Sequence, residues 1–358
     1  MTLIFYAILI ALFLMFSRKK EAQTSFFTKN DTTIIKGFSA LIVLLHHLGL
    51  NFDIGNTYDI FNSSAKSGGV AVGIFFMLSA YGILKSYNNN PTYYKKILFV
   101  KIPSLYAFQV AINALYYFIF YATSNLSKLE IFIRIFNLDM FCYFDRINGY
   151  SWFITTILCL YLLFALLLML AQLFKNKIKH NKLFIGVGST IIVSLWVFIV
   201  KFAPTLTDLY YRSVFCFSLG AWLCLYEKQL LLFLQPKKNF IWATAISASL
   251  LILSFFLLYE RHIAIATCLL MAILSSKITL GNNQLFIFLG NISLEIYLLQ
   301  LIFFNKIDFD SELLAGITII GSTIVLSYMV HLIYTYIKKL IVFSTTIISK
   351  SNNKSELL

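Results

Sequence analysis

IIKGFSALIVLLHHLGL, residues 34–50, decides the class of fold. It is apolar except for Lys36 at its mouth and the pair His46 and His47 near its far end, and as a helix it is long enough to enter a bilayer deeply. The eleven steps from Lys36 to His47 come to about 1100°, three turns plus roughly 20°, with about 16 Å of rise. Both side chains then share one face, a cation at one end and an imidazole at the other. By the same count His46 points about 80° away from Lys36, so His47 is the better candidate for a catalytic base. Taken singly, each residue also has a plain reading: Lys36 as an anchor snorkelling to the interface, and a buried histidine as an interhelical hydrogen-bonder.

Composition extends this reading to the whole chain. Hydrophobic residues are 59% of the 358, charged residues 12%, and mean hydropathy is +0.81. No soluble core hides that much apolar surface, so the expectation is an all-α integral membrane protein. Its core is expected to be a polytopic bundle of about ten transmembrane helices, with one more at the N-terminus. Eleven apolar stretches carry this reading: 2–16, 34–50, 68–84, 102–122, 151–173, 183–202, 212–233, 239–258, 262–276, 285–305 and 313–337. Residues 1–33 read as an anchor helix with a basic loop, 34–340 as the membrane domain and 341–358 as a cytoplasmic tail. The end of that tail, SKSNNKSELL, is expected to be disordered.

MTLIFYAILIALFLMFSRKK has no basic residue before its apolar run and no small-residue cleavage site after it, which reads as an uncleaved anchor rather than a secretory signal. Its short run is also compatible with lying in the interface. Of the 29 basic residues, 21 fall in alternate joints, from Arg18, Lys19 and Lys20 through Lys95, Lys96 and Lys101 to Lys338, Lys339, Lys350 and Lys354. The joints between them collect acids such as Asp53, Asp59, Asp308, Asp310 and Glu312. Basic joints stay in the cytoplasm, so the N-terminus is expected outside and the C-terminus inside, in a multi-pass cell-membrane protein. The formal charge of +14 then reflects topology and attraction to anionic membrane lipid, and carries no nucleic-acid inference. Cys142, Cys159, Cys216, Cys224 and Cys268 are scattered, with no metal-ligand spacing, and read as small apolar packers.

Three further stretches hold the polar residues. SGGVAVGIFFMLSAYGILKSY, 67–87, has Gly69 and Gly73 for close helix approach and Ser79, Tyr81 and Lys85 towards its end. FLGNISLEIYLLQLIFF, 288–304, puts Glu295 near the bilayer midplane, where a carboxyl group is costly unless protonated, paired or wet. Neutral helix-to-helix glue is the plain alternative for Glu295, and His331 on the last span reads as a packing histidine. IFIRIFNLDMFCYFDRINGY, 131–150, mixes aromatics with charges and is expected to be an interfacial or re-entrant lid rather than a free loop.

In order and spacing, Lys36 to His47, GGVAVGIFFMLSAYGIL, NGYSWFITTILCLYLL and LGNISLEIYLL resemble the membrane-bound acyltransferase-3 family of multi-span O-acyltransferases. Members are similar in carrying a basic residue, ten residues and a histidine on the first core helix. They also share an FFxLSG-like end to the second, here Phe75, Phe76, Leu78 and Ser79 with Ala80 in place of glycine. The resemblance covers about 34 to 337. It implies transfer of an acetyl group from acetyl-CoA, a co-substrate rather than a resident cofactor, to a hydroxyl of an exported polysaccharide or lipid-linked glycan. In that reading His47 is the base and Glu295 orients it if their helices pack together. Lys36, Lys95, Lys96 and Lys101 meet the CoA phosphates, while Ser79, Tyr81, Tyr150 and Trp152 line the substrate path.

The chain departs from the family pattern in several places. Arginine is commoner at the position of Lys36, and two arginines three apart often stand where KKILFVKIPSLY offers wider-spaced lysines. Gln300 replaces a frequent histidine. Two other classes stay open on the residues alone: a proton-coupled glycolipid transporter or flippase using Glu295 and His47, and a polysaccharide polymerase, which usually carries a large outside loop that is absent here.

Overall fold

The computed structural model describes residues 15, 17–20, 24–51, 67–138, 146–178, 180–203, 207–256, 260–304 and 312–355, with side chains as far as Lys339. Two short strands, β1 (Arg18–Lys19) and β2 (Ile278–Thr279), pair antiparallel. The helices begin with α1 (Lys29–Asn51), α2 (Gly68–Asn89), α3 (Tyr93–Tyr121) and α4 (Lys128–Ile135). There follow α5 (Trp152–Leu173), α6 (Asn181–Phe202), α7 (Phe215–Leu225), α8 (Glu227–Leu234), α9 (Lys237–Phe256) and α10 (Glu260–Ser275). The chain ends with α11 (Gln284–Asn291), α12 (Ser293–Leu299), α13 (Leu301–Phe304) and α14 (Glu312–Ser355).

Among the described residues, six helices are long and apolar enough to cross a membrane: α1, α2, α3, α5, α6 and the Leu314–Lys339 part of α14. Eight is the number if each of two bent pairs counts as one span. The expected ten core spans are therefore not confirmed among the described residues. The stretch at 212–233 breaks between α7 and α8 with a bend of 78°, and 285–305 breaks between α11 and α12 with a bend of 60°. At the second break Ser293 Oγ donates to the carbonyl of Gly290 at 2.9 Å, a side chain standing in for the interrupted backbone ladder. The stretch at 262–276 is the 16-residue α10, about 24 Å long and short of a bilayer core of about 30 Å. Apart from Met15, the expected first span lies outside the described residues. The tail differs from expectation too: α14 runs on to Ser355, and no glycine or proline follows Gly321 to stop it before that point.

Glycines set the tightest contacts. A Cβ on Gly37 of α1 would come 2.2 Å from the carbonyl oxygen of Phe286, and one on Gly290 would come 2.0 Å from that of Thr33. α1 and α11 thus touch backbone to backbone, as small residues permit in membrane interiors. Gly220 on α7 meets the backbone of Met77 on α2 in the same way, and Gly73 packs against Cys216 and Ala264.

Polar ties fasten the end of the bundle that carries Lys36. Lys20 Nζ donates to the carbonyls of Ser25, Phe26 and Ser275 at 3.0, 2.7 and 2.7 Å. Burial lowers its pKa, with the carboxylates of Asp31 and Glu227 pulling the other way. Asp31 accepts from the backbone N–H groups of Thr28 and Leu280, 2.9 and 2.8 Å away, joining the start of α1 to the end of β2. Glu227 accepts from the Phe26 N–H at 2.8 Å, from the Tyr81 hydroxyl and from Lys85. The described part of the stretch before α5 is tied to α3: the Tyr106 hydroxyl donates to the carbonyl of Phe136 at 2.8 Å, and Asn113 Nδ2 to that of Ile135 at 3.2 Å. Residues 139–145 lie outside the described set.

Candidate active site

α1 runs unbroken through Lys36 and His47, so the face they share on paper is a real one, with about 16 Å between its ends. Lys36 is half-buried and lies in the electrostatic field of Lys101. Lys101 also belongs to the lining of a cavity of about 360 Å³, with Lys96, Lys338, Ser104, Tyr161, Tyr334, Glu295 and apolar side chains. Three ammonium groups against one carboxylate make it a place for anions.

A local irregularity gathers these lysines. Residues Ile97–Lys101 of α3 form a π turn, in which the N–H of Ile102 donates to the carbonyl of Ile97, five residues back. In an α-helix, residues five apart point about 140° away from each other. A turn that closes on the fifth residue brings them round to one side. Lys96 and Lys101 accordingly both lie over the ring of Tyr93, 6.0 and 5.2 Å from its centroid, and both line the cavity. Lys95 is exposed and is not part of the lining. Ser104 and the Tyr334 hydroxyl, 2.5 Å apart, hold α3 against α14 at the cavity wall.

Glu295 Oε1 lies 2.7 Å from Nδ1 of His331. Its helix, α12, packs on α1 as the expected His47 contact required, yet the carboxylate is turned to α14 instead. Phase explains this: Glu295 and Gln300 are five residues apart, hence about 140° around the helix, and Gln300 takes the side of His47. Gln300 is fully buried, and its Nε2 donates to the carbonyl of Tyr297 at 2.9 Å. The same side chain interacts with the His47 imidazole.

The His47 ring stacks on Tyr150, with centroids 3.9 Å apart and planes at 25°. Tyr150 in turn meets the edge of Tyr297 at 6.4 Å. Asn148 sets that geometry: its Oδ1 accepts from the N–H of Tyr150 at 3.0 Å, and its Nδ2 donates to the carbonyl of Leu298 at 3.1 Å. His46 faces elsewhere, packed so closely on α2 that a Cβ at Gly68 would lie 2.2 Å from its ring.

A family profile described as an acyltransferase domain matches residues 31–333, most of the chain. The chain belongs to the acyltransferase-3 family. No curated protein and no solved structure matches it.

This acyltransferase brings some of the expected residues together and leaves others apart. Lys36, Lys96, Lys101 and Glu295 gather at the cavity end of α1, while His47 and Tyr150 meet at the other. Tyr81 belongs to the Glu227 cluster, with its hydroxyl engaged there. Ser79 is half-buried two residues earlier on α2. Trp152 packs edge-on against Tyr210, 6.2 Å away, and Arg146 lies over the other ring of that pair at 4.7 Å. Sequence reasoning passed over His331 as a packing residue and Lys338 as a mere topology signal. Their spacing of seven, two helical turns, was the available sign that both lie on one face of the last helix.

Proposed function

We propose that this membrane acyltransferase takes an acetyl group from cytoplasmic acetyl-CoA and places it on a hydroxyl of an exported polysaccharide or lipid-linked glycan. The observation that carries the reading is one unbroken helix with an anion-attracting cavity at one end and a stacked imidazole at the other. Lys36, Lys96, Lys101 and Lys338 meet the phosphates of CoA, with Lys95 at the approach. The basic joints face the cytoplasm, which puts the cavity on the side where CoA is found, the N-terminus outside and the C-terminus inside.

His47 removes the proton of the acceptor hydroxyl as its oxygen attacks the thioester carbonyl. The tetrahedral intermediate collapses by breaking the carbon–sulfur bond, and the imidazolium returns its proton to the departing CoA thiolate. Tyr150 holds the ring in place, and Trp152, backed by the buried Tyr210, offers an aromatic face on which a sugar stacks. Ser79 and Tyr81 lie on α2 towards the Lys36 end, on the donor side.

The test is transfer of radiolabel from the acetyl group of acetyl-CoA to a glycan acceptor by the purified protein in proteoliposomes, with CoA released in step. Transfer that needs His47 and persists when the proton gradient is collapsed is the expected result. Acceptor labelling from another acyl donor, with none from acetyl-CoA, would replace the donor assignment.

A further inference from the structure

The final carbonyls of a helix lack partners on that helix, and side chains commonly meet them. Gln300 stands just past the end of α12, and its Nε2 donates to the carbonyl of Tyr297 at 2.9 Å. One residue on, the carbonyl of Leu298 accepts from Asn148 Nδ2 at 3.1 Å and from the Tyr116 hydroxyl at 3.0 Å. Asn148 in turn holds the backbone of Tyr150, whose ring stacks on His47. The end of α12 therefore fixes the side chains that surround the histidine.

A carbonyl oxygen only accepts, so the Tyr297 carbonyl decides which way round the Gln300 amide lies: nitrogen towards Tyr297, with the oxygen left to accept elsewhere. Gln300 is 0% exposed, and its Oε1 is enclosed within the bundle. The helix before it, α12, packs on α1, and the Gln300 side chain interacts with the imidazole of His47. On that ring Nδ1 is enclosed as well, so a substrate hydroxyl meets the histidine at Nε2.

A neutral imidazole carries one proton, and the other nitrogen holds the lone pair that acts as base. Which nitrogen is which depends on the hydrogen bond that its opposite makes. We infer that Gln300 is the positioning residue that keeps His47 in its Nδ1–H tautomer, its Oε1 accepting from Nδ1–H so that Nε2 is left to take the proton of the substrate hydroxyl. The inference rests on the reading of His47 as the base. Once Nε2 has taken that proton the ring is a cation, and the hydrogen bond from Nδ1–H to the amide oxygen becomes a charge-assisted one. In this role Gln300 touches neither the acyl donor nor the sugar; it acts through the histidine alone.

The test uses Gln300→Met and Gln300→Glu in the full-length protein. Methionine keeps the length and removes both polar groups, whereas glutamate keeps an oxygen for the ring and loses the amide N–H given to Tyr297. The thermal midpoint and size-exclusion profile in detergent set equal amounts of folded protein for comparison. In proteoliposomes Gln300→Met lowers kcat for acyl transfer roughly tenfold, the lower end of what a hydrogen bond to a charged group contributes, while the KM for acetyl-CoA stays at the wild-type level. Gln300→Glu recovers most of that kcat, which assigns the effect to the oxygen and not to the tie with Tyr297. A wild-type kcat in Gln300→Met, or equal loss in the two variants, overturns the inference and leaves Gln300 as helix-to-helix packing. Transfer that survives His47→Ala overturns the base reading itself, a result separable from the first because it needs no change at Gln300.

Discussion

Nδ1 of His331 stands 2.7 Å from Oε1 of Glu295, so the carboxylate nearest the middle of the chain's last broken span is answered from α14 and not from α1. A buried carboxyl group is costly alone, and the histidine supplies the partner that lets it remain. Glu295 of this pair also lines the lysine-rich cavity.

Removing either member should therefore cost stability. Glu295→Gln and His331→Ala should each lower it by about 1.5–3 kcal/mol, the range for a hydrogen bond to a charged group. The double variant should lose less than the sum, because neither partner is then left alone. Thermal unfolding in detergent measures all three, and strict additivity would mean that the two do not act as a pair.

The adjacent histidines should separate cleanly. His47→Ala should reduce acyl transfer at least about a hundredfold, the usual scale for loss of a general base, at unchanged protein level in the membrane. His46→Ala should be far milder, since that ring packs on Gly68 and not on Tyr150. Steady-state assays on both variants decide it; equal loss would remove His47 from its role.

Charge at the cavity should appear in donor affinity. Lys36→Arg should keep most activity, whereas Lys36→Glu and Lys101→Ala should raise the KM for acetyl-CoA more than they lower kcat. Lys95→Ala, outside the lining, should do much less. A KM unmoved by Lys101→Ala would argue against phosphate binding there.

Backbone contact between α1 and α11 makes a sharp stability prediction. Gly290→Ala forces a methyl group to within 2.0 Å of the Thr33 carbonyl and should prevent accumulation of folded protein. Gly82→Ala, with nothing within 4 Å of the added carbon, should be tolerated and gain slightly in helix propensity. Expression in membranes and size-exclusion profiles give the comparison directly.

Orientation is open to labelling. A single cysteine at Ser124 should react with an impermeant maleimide from outside intact cells, and one at Lys182 only after permeabilisation, because the basic joints stay inside. Outside reaction at Lys182 would invert the topology.

The amino-acid sequence by itself was enough for the class and for the helix face that Lys36 and His47 share. Apolar stretches of spanning length require a membrane solvent, whatever their neighbours, and eleven residues on one helix fix the phase and rise between Lys36 and His47 from backbone geometry alone. The ordered motifs were enough for the family. Tertiary structure decided whatever depended on contacts between helices distant in sequence. A bend at Ile292 and the phase of α12 gave Gln300, not Glu295, to His47, and His331 on another helix took the carboxylate. The π turn in α3 decided that Lys96 and Lys101, too widely spaced to share an α-helical face, line one cavity. Hydrophobicity and spacing along a chain describe each helix against lipid or water. Which polar side chain answers which depends on how the helices pack, and that is set by close approaches such as Gly37 on Phe286, whose partners no local pattern names.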